Sequence, residues 1–344
     1  RQMCIRDRGK IRRMRWWSFG ASVAGVLLIL GVGIMLWMKP EENGVWEGEK
    51  TVEPGIGQVV LTLGDGESMP LKRDTNRLIF GGTMLQVRNE RGTLVYSRIK
   101  SKEASEKIVY NTLTVPVRER FQLVLADGTK VFLNSGSEMR YPERFGKARR
   151  EVFLKGEAWF EVAKDSAREF WVHAGAMDVK VLGTSFNVKA YERLETVATT
   201  LVEGSVEVAC AGKSFQIVPG EQFVYDKNNR VMDVRMVDTE SYVSWKDGYY
   251  KFRQTTLEEI METLSVWYGL NVFYVNESAK QVEFTGKVKR YEDARMLLDK
   301  FEQTGDVVFD IKGNNVFITI KQKKPFAREW NSFLVKARGM VWQS

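Results

Sequence analysis

A single histidine, His173, stands in the alternating run Phe170-Trp171-Val172-His173. With no second histidine, neither a His-based metal site nor a His-assisted nucleophile can be assembled, and a lone strand histidine reads as a satisfied structural residue. The nearest approach to an acid/base pair is Glu157 and Glu161 in EVFLKGEAWFEV, residues 151–162. They recur at strand spacing opposite the apolar set Val152, Leu154, Gly156, Ala158, Phe160 and Val162, which reads as a solvated face rather than as catalytic carboxylates. Gly64-Asp65-Gly66 has no helix after it, and Gly31-Val32-Gly33 lies in an apolar run, so neither cradles a phosphate. The two cysteines, Cys4 and Cys210, show no metal-ligand spacing. The expectation is a chain that is not an enzyme and that needs no cofactor and no metal.

What must position any other activity begins at Ser18–Met38, SFGASVAGVLLILGVGIMLWM, a run of 21 residues without a charge. As a helix it would span about 31 Å, matching a hydrocarbon core of about 30 Å. Trp16, Trp17 and Trp37 stand at its two ends, where an amphipathic ring suits the headgroup layer. The run exceeds a cleaved leader's apolar region and has no small-x-small site after it, so it reads as an uncleaved anchor. Residues 1–17 carry seven Lys/Arg against one Asp, which puts that side in the cytoplasm and the rest beyond the membrane. Most of the formal net charge of +8 sits in this stub, so it is a topology signal and not a nucleic-acid-binding face. The chain opens on Arg1 rather than Met, and the expectation is a truncated cytoplasmic stub of a longer product.

Beyond the anchor, 39–56 reads as a Glu/Gly/Pro linker and 57–240 as an all-β domain, either a sandwich or solenoid-like. LTLGDG and LVLADG, 62 residues apart, are two strands meeting Asp-Gly hairpin turns. Gly156 reads as a bulge or turn dividing two strands. Short strands are expected at 170–173, 177–182, 185–191, 195–202, 205–209, 214–218, 222–225 and 230–236.

Residues 245–321 read as a small α+β domain of two β-α-β units. A strand at 249–252 precedes a helix capped by Thr255 or Thr256, with Leu257, Ile260, Met261 and Leu264 on one face and Gly269 as the stop. The second unit is strand Val282–Val288, helix Tyr291–Gln303, and strands at 307–311 and 316–320. Residues 322–344 form a basic tail without a clear period, and its role is unknown.

Several motifs in order carry a family resemblance. They are FQLVLADGTKVFLNSGS (121–137), Tyr141-Pro142, LKGEAWFEV (154–162), VLGTSFNV (181–188), LVEGSV (201–206), PGEQ (219–222) and WKDG (245–248). The chain resembles the FecR family of sigma-factor regulators. Its C-terminal part is similar to the domain of Bacteroidetes FecR-like proteins related to the short domain of secretins and TonB-linked receptors.

The resemblance implies an inner-membrane anti-sigma factor. Its periplasmic part would be touched by the signalling domain of an outer-membrane TonB-dependent receptor, and its cytoplasmic helical domain would hold an extracytoplasmic-function sigma factor. That helical domain is expected to lie in the missing N-terminal part, because 17 residues are too few for it. For the partner surface the candidates are the strand edge at Val282, Phe284 and Val288, with Glu283, Lys287 and Lys289 outward, and the helix-end aromatics Trp267 and Tyr268. Two other readings stand beside it: a membrane-anchored periplasmic glycan-binding module, and an envelope assembly scaffold.

Overall fold

Period-two alternation dominates the chain from residue 57 onward, and it builds strands. The computed structural model describes residues 57–72, 76–81, 85–90, 92–98, 108–290 and 293–321; the anchor expected at 18–38 and the tail at 322–344 lie outside them. Among the described residues no helix is long and apolar enough to cross a membrane.

The first eighteen strands are β1 (Val59–Thr62), β2 (Ser68–Leu71), β3 (Asn76–Gly81), β4 (Leu85–Glu90), β5 (Thr93–Arg98), β6 (Tyr110–Val115), β7 (Phe121–Val124), β8 (Lys130–Leu133) and β9 (Ser137–Pro142); then β10 (Arg150–Glu161), β11 (Phe170–Ala174), β12 (Met177–Val181), β13 (Ser185–Ala190), β14 (Thr196–Glu203), β15 (Val206–Cys210), β16 (Lys213–Ile217), β17 (Glu221–Asp226) and β18 (Val231–Met236). One sheet runs β2-β1-β6-β9-β10-β11-β12-β15-β16. The other runs β3-β4-β5-β7-β8-β10-β13-β14-β17-β18. Their inward residues form one core, which includes Leu61, Leu113, Val152, Phe170 and Val179 from the first sheet and Leu123, Val131, Phe160, Phe186 and Phe223 from the second. Phe160 meets Phe170 edge-on across the core at 6.2 Å. Two sheets closed over one apolar layer make this a sandwich.

Strand β10 belongs to both sheets. Residues 150–155 pair with β11 and β9, and residues 156–161 pair with β13 and β8. Gly156, at φ +99, makes the transfer; a Cβ there would lie 2.7 Å from the Cα of Ser137. This glycine therefore does not divide two strands. It lets one strand cross from sheet to sheet with a conformation and a clearance that only glycine offers.

The LTLGDG and LVLADG stretches form the same turn. Gly66 N donates to Leu63 O, and Gly128 N to Leu125 O, each at 2.9 Å, with both glycines at φ +89. Asp65 and Asp127 each accept from the backbone N–H two residues on at 3.0 Å. One hairpin lies in each sheet.

After the sandwich come a short helix α1 (Glu240–Val243) and a 3₁₀ turn at Ser244–Asp247, neither foreseen from the sequence. Then follow β19 (Tyr249–Thr256), α2 (Leu257–Tyr268), β20 (Asn271–Tyr274), β21 (Glu283–Lys289), α3 (Ala294–Glu302), β22 (Val307–Lys312) and β23 (Asn315–Ile320). Thr256 caps α2 by accepting from Glu259 N, and Gly269 at φ +69 ends it. The second helix is shorter than its apolar pattern promised, because Asp293 caps it by accepting from Arg295 N. Strands β19 and β21 pair antiparallel, while β20, β23 and β22 form a separate sheet. Between them lies a second core holding Leu257, Ile260, Leu264, Leu297, Phe301 and Val316.

His173 is structural. Its Nδ1 lies 2.7 Å from Asp178 Oδ1 and its ring stacks on Phe153 at 4.9 Å. The hydrogen bond to Asp178, with the Asp178 and Glu151 charges, raises its pKa against the opposing effect of burial. The stabilisation from this contact is therefore complete below about pH 6.5, the unfolded value, and fades as pH rises through the higher folded value. Urea titrations of the wild type and His173→Gln should differ most near pH 6 and converge above pH 8, by less than about 1 kcal/mol. A difference that grows with pH would contradict the assignment.

Candidate functional site

The residues of the motifs that are scattered through the sequence meet where the second sheet faces α2. The outward side of β10 does not face water there. Trp159, on that side, is 4 % exposed and belongs to the core of the C-terminal part, with Phe132 and Val202 packed against the same core. Glu157 sits two residues away under the same cover and is 8 % exposed. It is not the solvated carboxylate that alternation suggested; Glu161 remains half-buried beside Trp159, whose Nε1 donates to it at 3.2 Å.

Each oxygen of Glu157 accepts an amide N–H: Asn134 Nδ2 at 2.8 Å and Asn187 Nδ2 at 2.9 Å. The amide orientations are forced. Asn134 Oδ1 accepts from the backbone N–H of Ser135, and Asn187 Oδ1 accepts from the indole N–H of Trp245, a group that can only donate. Both NH₂ groups must then face Glu157, which serves as acceptor on both oxygens. Burial pushes its pKa up, while the Lys189 charge and the two amides pull it down. Ser137, beneath, gives its hydroxyl to Glu157 O at 3.1 Å and accepts from Glu157 N at 2.8 Å.

The C-terminal end of α2 seats against this network. Helix ends leave carbonyls without intrahelical donors. Gly269 N and Leu270 N serve Ser265 O, and the sandwich serves the next two. Ser135 Oγ donates to Val266 O at 3.1 Å and Trp267 O at 3.3 Å, and Arg118 N reaches Trp267 O at 3.1 Å. Arg120 Nη1 also donates to Lys246 O. A cleft of about 380 Å³ opens beside the junction, with Glu157, Asn187, Thr200 and Gln222 on one wall and Trp245 and Glu262 on the other.

The aromatics expected on a partner surface are in this junction instead. Trp267 is 6 % and Tyr268 1 % exposed, and the Arg290 guanidinium lies over the Trp267 ring at 3.6 Å. They hold the C-terminal part together and present no docking face. The other candidates lie elsewhere. Phe284 is buried under β21, Val288 is half-buried on the same side, and Val282 precedes the strand. Glu283, Lys287 and Lys289 are exposed, as their alternation requires. Cys210 is a buried free thiol, and Cys4 lies outside the described residues. Among the described residues no group of three His, Cys, Asp or Glu side chains could hold a metal ion.

The comparisons with known proteins follow the same division of the chain. The FecR protein family model matches residues 111–207, and the FecR C-terminal model matches 249–318. The chain carries both FecR regions. Asn134, Ser135, Ser137, Gly156, Glu157 and Asn187 fall in the first match and Val266 and Trp267 in the second, so the two matched regions supply opposite sides of one junction. Two crystal structures of a candidate anti-sigma factor from Parabacteroides distasonis ATCC 8503 are similar to it, at 28 % and 27 % identity with a TM-score of 0.56 for each. They cover 61 % of this chain, and it covers 98 % and 99 % of theirs. Among curated proteins no relative matches.

Proposed function

We propose that this chain is an inner-membrane anti-sigma regulator. It would relay a signal from an outer-membrane TonB-dependent receptor to an extracytoplasmic-function sigma factor. The two FecR regions and the anti-sigma likeness of the Parabacteroides structures support the regulatory role. The observation that carries the relay is the junction. A partner that grips the C-terminal part cannot shift it without breaking the Ser135 and Arg118 bonds to α2 and exposing Trp159 and Glu157. Displacement at one end is therefore passed to the sandwich as a unit, and the sandwich is the part that continues back towards the apolar run at 18–38.

In this reading residues 57–240 and 245–321 act as two domains beyond the membrane, and 1–17 is cytoplasmic. The receptor's signalling domain would add a strand at the β21 edge around Val282, Phe284 and Val288. The test is capture of the full chain, in detergent, by the signalling domain of the receptor encoded beside it. Micromolar binding that is lost with proline at Thr285 is the expected result. No capture at about 100 µM would overturn the relay.

A further inference from the structure

Strand β21 pairs with β19 on one side, and among the described residues no strand lies on its other side. Glu283, Thr285, Gly286, Lys287 and Lys289 are exposed along it. An open edge with unpaired backbone groups invites another strand, and its side chains decide which.

The sequence Glu283-Phe284-Thr285-Gly286-Lys287-Val288-Lys289 is chemically self-complementary about Gly286. Laid antiparallel on a second copy with Gly286 opposite Gly286, it sets Glu283 against Lys289, Phe284 against Val288 and Thr285 against Lys287. The two-fold axis makes each of these contacts twice, which is an isologous interface. Phe284 and Val288 already share the inward face of β21, so the paired strands would continue one apolar layer into the next copy. A one-residue slip would bring Phe284 opposite Lys287 and break that layer. Parallel pairing in register would stack Lys287 on Lys287 and Lys289 on Lys289. Lys287 is also engaged within its own chain, 3.7 Å from Glu240 and over the Tyr249 ring at 3.6 Å, so the charge free for the partner at that end is Lys289.

We propose that β21 is a homodimerisation edge, forming a four-stranded β19-β21-β21-β19 sheet with a second copy of this chain. One short strand pair is a small interface, so the dimer is a weak one that another strand can displace. The pairing stands on the edge and its residues and does not depend on the sigma-regulator reading. If that reading also holds, the dimer covers the edge offered to the receptor.

The experiment is a charge-swap cycle on the full chain in detergent, read by sedimentation equilibrium up to about 200 µM, where weak interfaces associate. The wild type should self-associate. Lys289→Glu and Glu283→Lys should each weaken association by about tenfold, because each turns both ionic contacts repulsive. The double variant should return to within about threefold of the wild type. Both positions are exposed, so unchanged melting curves are expected and would show that the singles still fold. A monomeric wild type, or a double variant no better than the singles, would overturn the proposal.

Discussion

Arg150→Met should cost about 3–5 kcal/mol of stability, read as a lower urea midpoint at unchanged slope. The Arg150 side chain is 0 % exposed and faces Asp127, itself 7 % exposed, at 2.8 Å. Its guanidinium also donates to the carbonyls of Ala163 at 2.9 Å, Arg168 at 3.0 and 3.2 Å, and Leu182 at 3.4 Å. Phe170 lies beneath it at 5.3 Å. Methionine fills much of the volume but leaves Asp127 without its countercharge and three carbonyls without that donor. Asp127 is the turn residue of the second Asp-Gly hairpin and also accepts from Thr129 N and Oγ1, so the ion pair ties that hairpin to the start of β10. Replacing both partners, with Asp127→Asn, should cost clearly less than the sum of the singles, since no buried charge is then stranded. A cost below about 1 kcal/mol for Arg150→Met would show that water or a neighbour takes over its role.

The second large effect is expected at Glu157, and it distinguishes a polar network from mere burial. Glu157→Gln is nearly isosteric, yet it should destabilise by about 3 kcal/mol, close to the cost of truncation to alanine. The new NH₂ must face either Asn134 Nδ2 or Asn187 Nδ2. Neither amide can turn to accept it without giving up Ser135 N or Trp245 Nε1. The same change at half-buried Glu161 should cost no more than about 0.5 kcal/mol. The junction gives a second readout: Glu157→Gln should loosen the seat of α2, exposing Trp159 and Trp267 to fluorescence quenchers before global unfolding. An unperturbed Glu157→Gln protein would mean that the network is not polarised as the geometry requires.

Local chemistry was readable residue by residue. The helix α2 is announced by Thr256 with Glu259 three positions on, by apolar spacing at Leu257, Ile260, Met261 and Leu264, and by Gly269, because capping and amphipathicity act within a few residues. The strands from 170 to 236 were legible for the same reason: alternation is a local consequence of one buried face. Strands β2 to β5 escaped notice, and at β3 the alternation is interrupted by a register shift between Leu78 and Phe80. The lone histidine and the absence of metal-ligand spacing also needed nothing beyond the sequence.

Glu157 shows what the sequence could not carry. Alternation says which residues share a face of β10, and it says nothing about what later covers that face. The cover is α2 and the 3₁₀ turn at Trp245, about a hundred residues downstream. Trp159 on the supposedly wet face was the available signal, since a large aromatic there calls for a lid. By itself the sequence determined the strand periods, the helix ends and the order of the family motifs, all set by interactions a few residues long. Only the tertiary structure decided that Asn134, Glu157, Asn187 and Trp245 form one buried network, because their distances depend on how two sheets and a helix pack rather than on spacing along the chain.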